Sequence, residues 1–310
     1  LVYLLLKTLF PKRYKQHQDT LIIMNMDPEC VPCLLGRVFY QANLCNPKSS
    51  YDSMKKALEV LSAEFTAGKN SASIATKVHR AAYDEMGVND PYLELKIQAY
   101  NVALTIFDEA KEFIASSENS LEAAVKVAIA GNVMDFGIQG LTDPYHLSKN
   151  FSNLITQPLA VNDVKKAESF IGEGKKVLYL LDNCGEDVLD ILLVKELQKT
   201  GTHVTGVVKG EPILTDVTMS DADRSGISGV FDKTISTQMF AVGVSIEKMK
   251  KELVEEIDSA DLVISKGMGN FEALSDSSIN PILYLFRAKC NPVANAAGVL
   301  KNDNVAKLIL

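Results

Sequence analysis

The sequence predicts an α/β protein, with a multihelical N-terminal domain followed by a Rossmann-like α/β/α three-layer domain built on a mainly parallel sheet. Three observations predict it. From Cys33 to about Asn150 the apolar positions recur at three- and four-residue spacing, as in MKKALEVLSAEF and YLELKIQAYNVALTIFDEAKEFIASS, the period of helices with one buried face. From about Lys176 short runs rich in Val, Ile and Leu take over: KVLYLLD, HVTGVVKG, DLVISKG and ILYLFRAKC. Helical stretches such as VLDILLVKELQKTG and SIEKMKKELVEEIDSA separate them, and strands apolar on both faces need helices on both faces. The expected division is an N-terminal extension over residues 1–25, the multihelical domain over 26–155, and the Rossmann-like domain carrying the site over 156–310.

At 310 residues, with 47% hydrophobic and 23% charged content, the chain has enough apolar material for a large core. A net charge of −7 and a pI near 5.3 argue against gripping nucleic acid by bulk electrostatics. Five cysteines, an odd number, favour reduced thiols and a cytoplasmic setting. No apolar run approaches the roughly 20 residues that cross a bilayer, so no membrane partner is expected. The opening LVYLLLKTLFPKRYKQHQD is an apolar block followed by basic residues, too short for a span and with its charges on the wrong side for a secretory signal. Residues 1–25 read as an extension, a mis-assigned start or a mobile tail, against the alternative of a membrane-surface or partner helix.

Along the chain, the first chemical signal is Cys30-x-x-Cys33, with Arg37 one turn further on. That spacing serves zinc, redox dithiols and thiols activated at helix starts, or simply two small residues opening a helix. A structural zinc lacks a second cysteine pair here, and the motif opens a helical region, where a thioredoxin-like use would have it follow a strand. Further on, Asn119 or Ser120 can cap a helix that ends near Gly131. GNVMDFG then places Asn132 and Asp135 three residues apart, either as a lid over the sheet's crevice or as a helix end and a cap.

In a doubly wound sheet ligands bind beyond the carboxyl ends of the strands. Three such ends carry polar residues: Asp182 and Asn183, followed by Gly185, Glu186 and Asp187; Asp216; and Lys266, Gly267, Gly269, Asn270 and Glu272. Any one Asp or Asn at such a junction is most often a cap, and Asp216 is placed to cap VTMSDADRSG. Taken together, Asp182, Asn183 and Asp216 offer two carboxylates and an amide oxygen, a hard set suited to magnesium or manganese. The four histidines, His17, His79, His146 and His203, form no ligand pair. KGMGNFE is not a dinucleotide fingerprint, but its glycines can admit an anion that Lys266 neutralises, and FRAKC brings Arg287 and Lys289 to the same edge.

DPECVPCLLGR, GNVMDFG, LLDNCGED, TDVT, KGMGNFE and RAKC, in that order from Asp27 to Cys290, resemble the metal-dependent damage-control phosphatase family, once catalogued as a domain of unknown function. The Cys-x-x-Cys opening looks like its subfamily I. The resemblance implies a multihelical domain on a Rossmann-like one, and hydrolysis of phosphate esters of sugars, nucleotides or damaged metabolites with manganese, nickel, cobalt or magnesium. It implies metal ligation by Asp182, Asn183 and Asp216, and substrate contacts near Asp187, on Gly267 and Asn270, and on Lys289. Arg37, Lys266, Asn132 and Asp135 complete the candidate substrate set, and Cys30 and Cys33 stand as a motif of unassigned role. Cys184 and Met268 depart from the family's usual alanine and glutamine. The expected reaction uses a metal-activated water, Lys289 and Lys266 holding phosphoryl oxygens, amides at the helix start adding a favourable dipole, and Asp216 or Asp187 taking the proton. The partner is a small phosphorylated metabolite, with no nucleic acid. Two other readings remain at this point: an S-adenosylmethionine-dependent methyltransferase, and a non-enzymatic metal-binding module built on Cys30 and Cys33.

Overall fold

The computed structural model describes residues 24–134 and 145–310. Its seven strands are β1 (Leu159–Asn162), β2 (Lys176–Leu180), β3 (His203–Val208), β4 (Lys233–Ser236), β5 (Leu262–Lys266), β6 (Ile282–Arg287) and β7 (Asn304–Ile309). They form one sheet in the order β1-β7-β6-β5-β2-β3-β4. All pairings are parallel except β6 with β7. The chain leaves β2 outward through β3 to β4, then returns to lay β5 on the other side of β2. That reversal opens a crevice at the carboxyl ends of β2 and β5, the place where sheets of this kind bind ligands.

The helices before the sheet are α1 (Cys30–Cys45), α2 (Ser50–Glu64), α3 (Ser71–Met86), α4 (Leu93–Ser116), α5 (Ser120–Ala130) and α6 (Tyr145–Ile155). Within and after it come α7 (Val164–Ala167), α8 (Glu186–Lys199), α9 (Met219–Ser225), α10 (Lys251–Ser259), α11 (Gly267–Leu274) and α12 (Asn291–Ala297). The mixed α/β architecture and the helical N-terminal region are as the sequence predicts. α8 is buried nearly all round, its acidic residues included, because it is covered on both sides, by the sheet and by α4 and α5. One hydrophobic cluster accordingly runs from Ala99 and Ile106 of α4 through Val127 of α5 and Leu193 of α8 to Tyr179 and Ile264 of the sheet. The opposite face packs α10, α11 and α12 over Leu180, Val263 and Phe286.

A third cluster makes α1, α2 and α3 a cap with its own core. It sits over the carboxyl edge of the sheet, because Ile213 and Leu214 after β3 and Phe240 after β4 belong to the same cluster. Two hydrogen bonds fasten it there: Leu214 N–H donates to the Tyr83 hydroxyl at 3.0 Å, and Val242 N–H to Thr76 Oγ1 at 2.9 Å. Asn119 caps α5 as expected, its Oδ1 accepting from Glu122 N at 3.0 Å. SIEKMKKELVEEIDSA is helical only over α10; Ile246–Lys248 is a separate 3-10 turn, with Met249 leaving the helical region between them.

The handover from β2 to α8 turns on Gly185, whose φ of 84° lies where side chains are strained and whose Cα faces the backbone of α4. A Cβ there would lie 2.8 Å from Ala99 O. Gly185→Ala is expected to cost about 2–5 kcal/mol from the backbone penalty plus overpacking. Urea unfolding measures it, and an unchanged midpoint refutes this account of the turn.

Candidate active site

Asp182, Asn183 and Asp216 meet because the chain beyond β2 keeps pairing after the strand ends. Val217 N–H donates to Asp182 O at 2.8 Å and Cys184 N–H to Thr215 O at 2.8 Å. Asn183 and Asp216 face each other in this short antiparallel bridge. Asp216 does not cap α9; Thr218 does, in a capping box with Asp221, whose Oδ2 accepts from Thr218 N at 3.1 Å.

Gly267 opens the space these groups need. Its φ is 74°, and a Cβ on it would fall 1.8 Å from Asp182 Oδ2, so the carboxylate occupies the volume of the missing side chain. Asn183 Nδ2 donates to Asp182 Oδ2 at 2.6 Å and to Glu186 Oε2 at 3.3 Å, while its Oδ1 accepts from Thr215 Oγ1 at 2.7 Å. Burial, then the charges of Asp216 and Glu186, push the Asp182 carboxyl well above the usual range; Lys289 and Lys209 pull the other way.

Lys209 lies beside these groups and was passed over by the sequence reading. Its Nζ lies 3.3 Å from Asp216 Oδ2 and donates to Gly243 O at 2.7 Å, with the side chain buried. The signal was a lysine directly after an otherwise apolar strand.

A cavity of about 260 Å³ lies between the cap and the sheet edge. Asp182, Asn183, Asp216 and Lys289 form its floor side, and Arg37, Cys30 and Cys33 reach it from α1. By charge and hardness the two carboxylates fit a divalent cation, and Gly267 leaves the Asp182 carboxylate unobstructed; the Asn183 oxygen, which here accepts from Thr215, would join them on turning its amide over. Among the described residues no three His, Cys, Asp or Glu side chains form a metal-binding group. A cation here would therefore draw on Asn183 and on water or substrate oxygens as well, and the Cys-x-x-Cys pair makes no such centre by itself.

The family model for the damage-control phosphatase ARMT1-like domain matches residues 26–305. The chain belongs to that family. A protein of Archaeoglobus fulgidus named damage-control phosphatase is 36% identical over 289 residues, covering 92% of this chain and 100% of that protein. A damage-control phosphatase of Pyrococcus horikoshii is 29% identical over 283 residues, covering 90% of this chain and 96% of its own. The crystal structure of a DUF89 family protein from Pyrococcus horikoshii matches with a TM-score of 0.82 at 28% identity, over 92% of this chain and 99% of that one.

Within this damage-control phosphatase fold, several residues assigned to substrate lie outside the cavity. Lys266 is fully buried beneath it: Nζ donates to Asp190 Oδ1 at 2.7 Å, to Ala128 O at 3.1 Å and to Glu186 Oε1. With both acids on it, this ammonium balances buried charge and does not hold a phosphate. Asn270 ties two strand ends together, donating from Nδ2 to Leu181 O at 3.1 Å and Lys266 O at 2.8 Å. Asn132 is fastened to the end of β6, its Oδ1 accepting from Arg287 N at 3.2 Å, and is no lid. Asp135 lies outside the described residues. Arg287 Nη1 donates to Gln157 Oε1 at 2.7 Å and Asn304 Oδ1 at 2.9 Å, leaving Lys289 as the cation of FRAKC at the cavity.

Asp187 turns away too, accepting the Gly185 N–H at 2.7 Å. The start of α8 therefore presents neither the Cys184 nor the Gly185 amide to an anion, since Thr215 O and Asp187 Oδ1 take them. Burial raises the Asp187 carboxyl to about 7, whereas in the unfolded chain it titrates near 3.9. Between those values the folded chain keeps a proton the unfolded chain has lost, so stability falls as pH rises through the window, by up to about 4 kcal/mol. Asp187→Asn retains an oxygen for Gly185 and removes that loss. Its unfolding free energy is expected to fall less steeply between about pH 4 and 7 and to exceed that of the parent near pH 8; parallel curves refute it.

Proposed function

We propose that the chain is a metal-dependent phosphatase for small phosphate monoesters. The observation that carries this reading is the convergence of Asp182, Asn183, Asp216 and Lys289 on one cavity at the reversal of strand order, in a chain whose relatives are named damage-control phosphatases. A phosphate monoester resists hydrolysis because a nucleophile must approach an anion and an alkoxide must leave, so catalysis consists largely of neutralising charge and fixing positions. A divalent cation such as manganese, nickel, cobalt or magnesium, when bound, supplies charge neutralisation and an acidified water.

The chain's own residues supply the remainder. Asp182 and Asp216, with the Asn183 amide, hold the cation. Lys289 from the floor and Arg37 from the cap hold phosphoryl oxygens. Lys209 keeps the Asp216 carboxylate in place through Oδ2. Of the two acids considered for the water's proton, Asp187 is spent on the Gly185 amide and Asp216 remains. No observation favours a methyltransferase, and the relatives are named damage-control phosphatases. No helix among the described residues is long and apolar enough to cross a membrane.

Asp182→Asn and Asp216→Asn are each expected to lower metal-stimulated hydrolysis of a generic aryl phosphate by about 100-fold or more. Because the neighbouring acids repel one another without a cation, metal-free Asp182→Asn should melt no lower than the parent. Full activity in either purified variant overturns the assignment.

A further inference from the structure

The cavity has two chemically different halves. The floor carries the charged groups already described. Much of the rest is sulfur: Met24, Met26, Cys30, Cys33, Met268 and Cys290 all line it, among aliphatic residues such as Leu34 and Val242 and a few polar ones. The chain has five cysteines and nine methionines, so a large share of its sulfur faces one small space. These residues arrive from the cap and the segment before it, from the start of α11 and from the start of α12, elements far apart in sequence, which makes this wall a product of the fold and not of one local motif.

Several polar side chains beside this wall already have protein partners, and Arg37 is the one assigned to the phosphoryl group. Ser71 Oγ donates to Glu272 Oε2 at 2.7 Å. Glu29, at the rim, accepts from Asn291 Nδ2 at 3.0 Å. His79 Nδ1 lies 3.0 Å from Gln41 Nε2, and burial together with Arg37 lowers the ring to about 3, so it stays neutral. Arg37 in turn faces the charge of Glu272. Burial pushes Cys30 up to about 11 and Cys290 up to about 12, so both remain neutral thiols, weakly polar and poor nucleophiles. A sugar needs a partner for each hydroxyl it buries, and an unpaired one costs about 1–3 kcal/mol. Thioethers and neutral thiols offer weak partners, but they pack well against alkyl, thioether and aromatic groups.

We propose that the alcohol released at this site is a compact apolar one, branched-alkyl or thioether-bearing, and not a polyhydroxylated sugar. This rests on the phosphatase reading above and names the substrate class within it.

The test uses the full chain with manganese and three esters: 3-methylbutyl phosphate, 3-(methylthio)propyl phosphate and a hexose 6-phosphate. Both apolar esters are expected to exceed the hexose phosphate in kcat/KM by about 10-fold or more. Met268→Gln keeps the length of the side chain and leaves an acceptor for Lys289 N–H, which now meets the Met268 sulfur at 3.2 Å, while adding an amide to the wall. That variant should raise KM for the apolar esters several-fold and narrow the ratio. A hexose phosphate turned over as well as the apolar esters, or a ratio untouched by Met268→Gln, overturns the substrate class and leaves the phosphatase standing. Hydrolysis of none of the three overturns the phosphatase reading and this inference with it.

Discussion

Acidic side chains crowd the carboxyl end of β2 and the turn after it, and the cations that balance them decide most of what surrounds the site. Asp182, Glu186, Asp187, Asp190 and Asp216 lie in or beside that one seam, nearly all of them buried. Glu186 and Asp190 are balanced by Lys266, which must be delivered from the end of β5 and must also reach a carbonyl of α5. Asp216 is balanced by Lys209 from the end of β3. The sheet order and the helical layer over α8 are thus both required by one electrostatic need. Buried like charges without these partners would unfold the seam or hold protons.

The same bookkeeping separates the cations buried beside the seam from the one that lines the cavity floor. Two lysines are committed to protein carboxylates. Lys289 reaches the cavity itself, and its charge acts on Asp182 from there. Around the Asp216–Lys209 pair, the floor sets the Asp182 carboxylate against the Lys289 ammonium. The cap completes the enclosure and brings Arg37 to it. It is tied to α11 by Asn70 Nδ2 donating to Glu272 O at 2.7 Å and by Ser71 on the Glu272 carboxylate, so it is anchored to the helix that begins at Gly267.

How much of this was legible in the sequence depends on whether a position or a direction was at stake. Apolar runs of strand length between helical patterns located β2, β3, β5 and β6, because burial on both faces leaves an unmistakable composition. β1, β4 and β7 escaped notice: β1 and β4 are short and half exposed along their length, and β7 runs opposite to its neighbour β6. Strand ends located Asp182, Asn183 and Asp216. The reading failed for Lys266, Asp187 and Asn270, which sit at equally good positions but point beneath the crevice. A residue following a parallel strand can face the ligand or the layer below, and nothing local distinguishes the two. For Lys266 the deciding partner, Glu186, lies on another element, so only the folded chain shows it.

The cysteine pair makes the complementary point. Cys30 and Cys33 read as a self-contained motif, and motif logic asks which metal or redox partner two thiols could share. In the fold they are two contributors to a wall completed by Cys290 and three methionines, none of which the spacing announces. Charged chemistry at the sheet edge is held by backbone pairing and buried ion pairs, where one substitution disturbs several partners. The wall is held mainly by side-chain packing, and its residues can exchange within a similar volume at a cost of about 1.5 kcal/mol or less. A fold organised this way can keep one reaction while changing the alcohol it releases, and the cap is where such change meets least resistance.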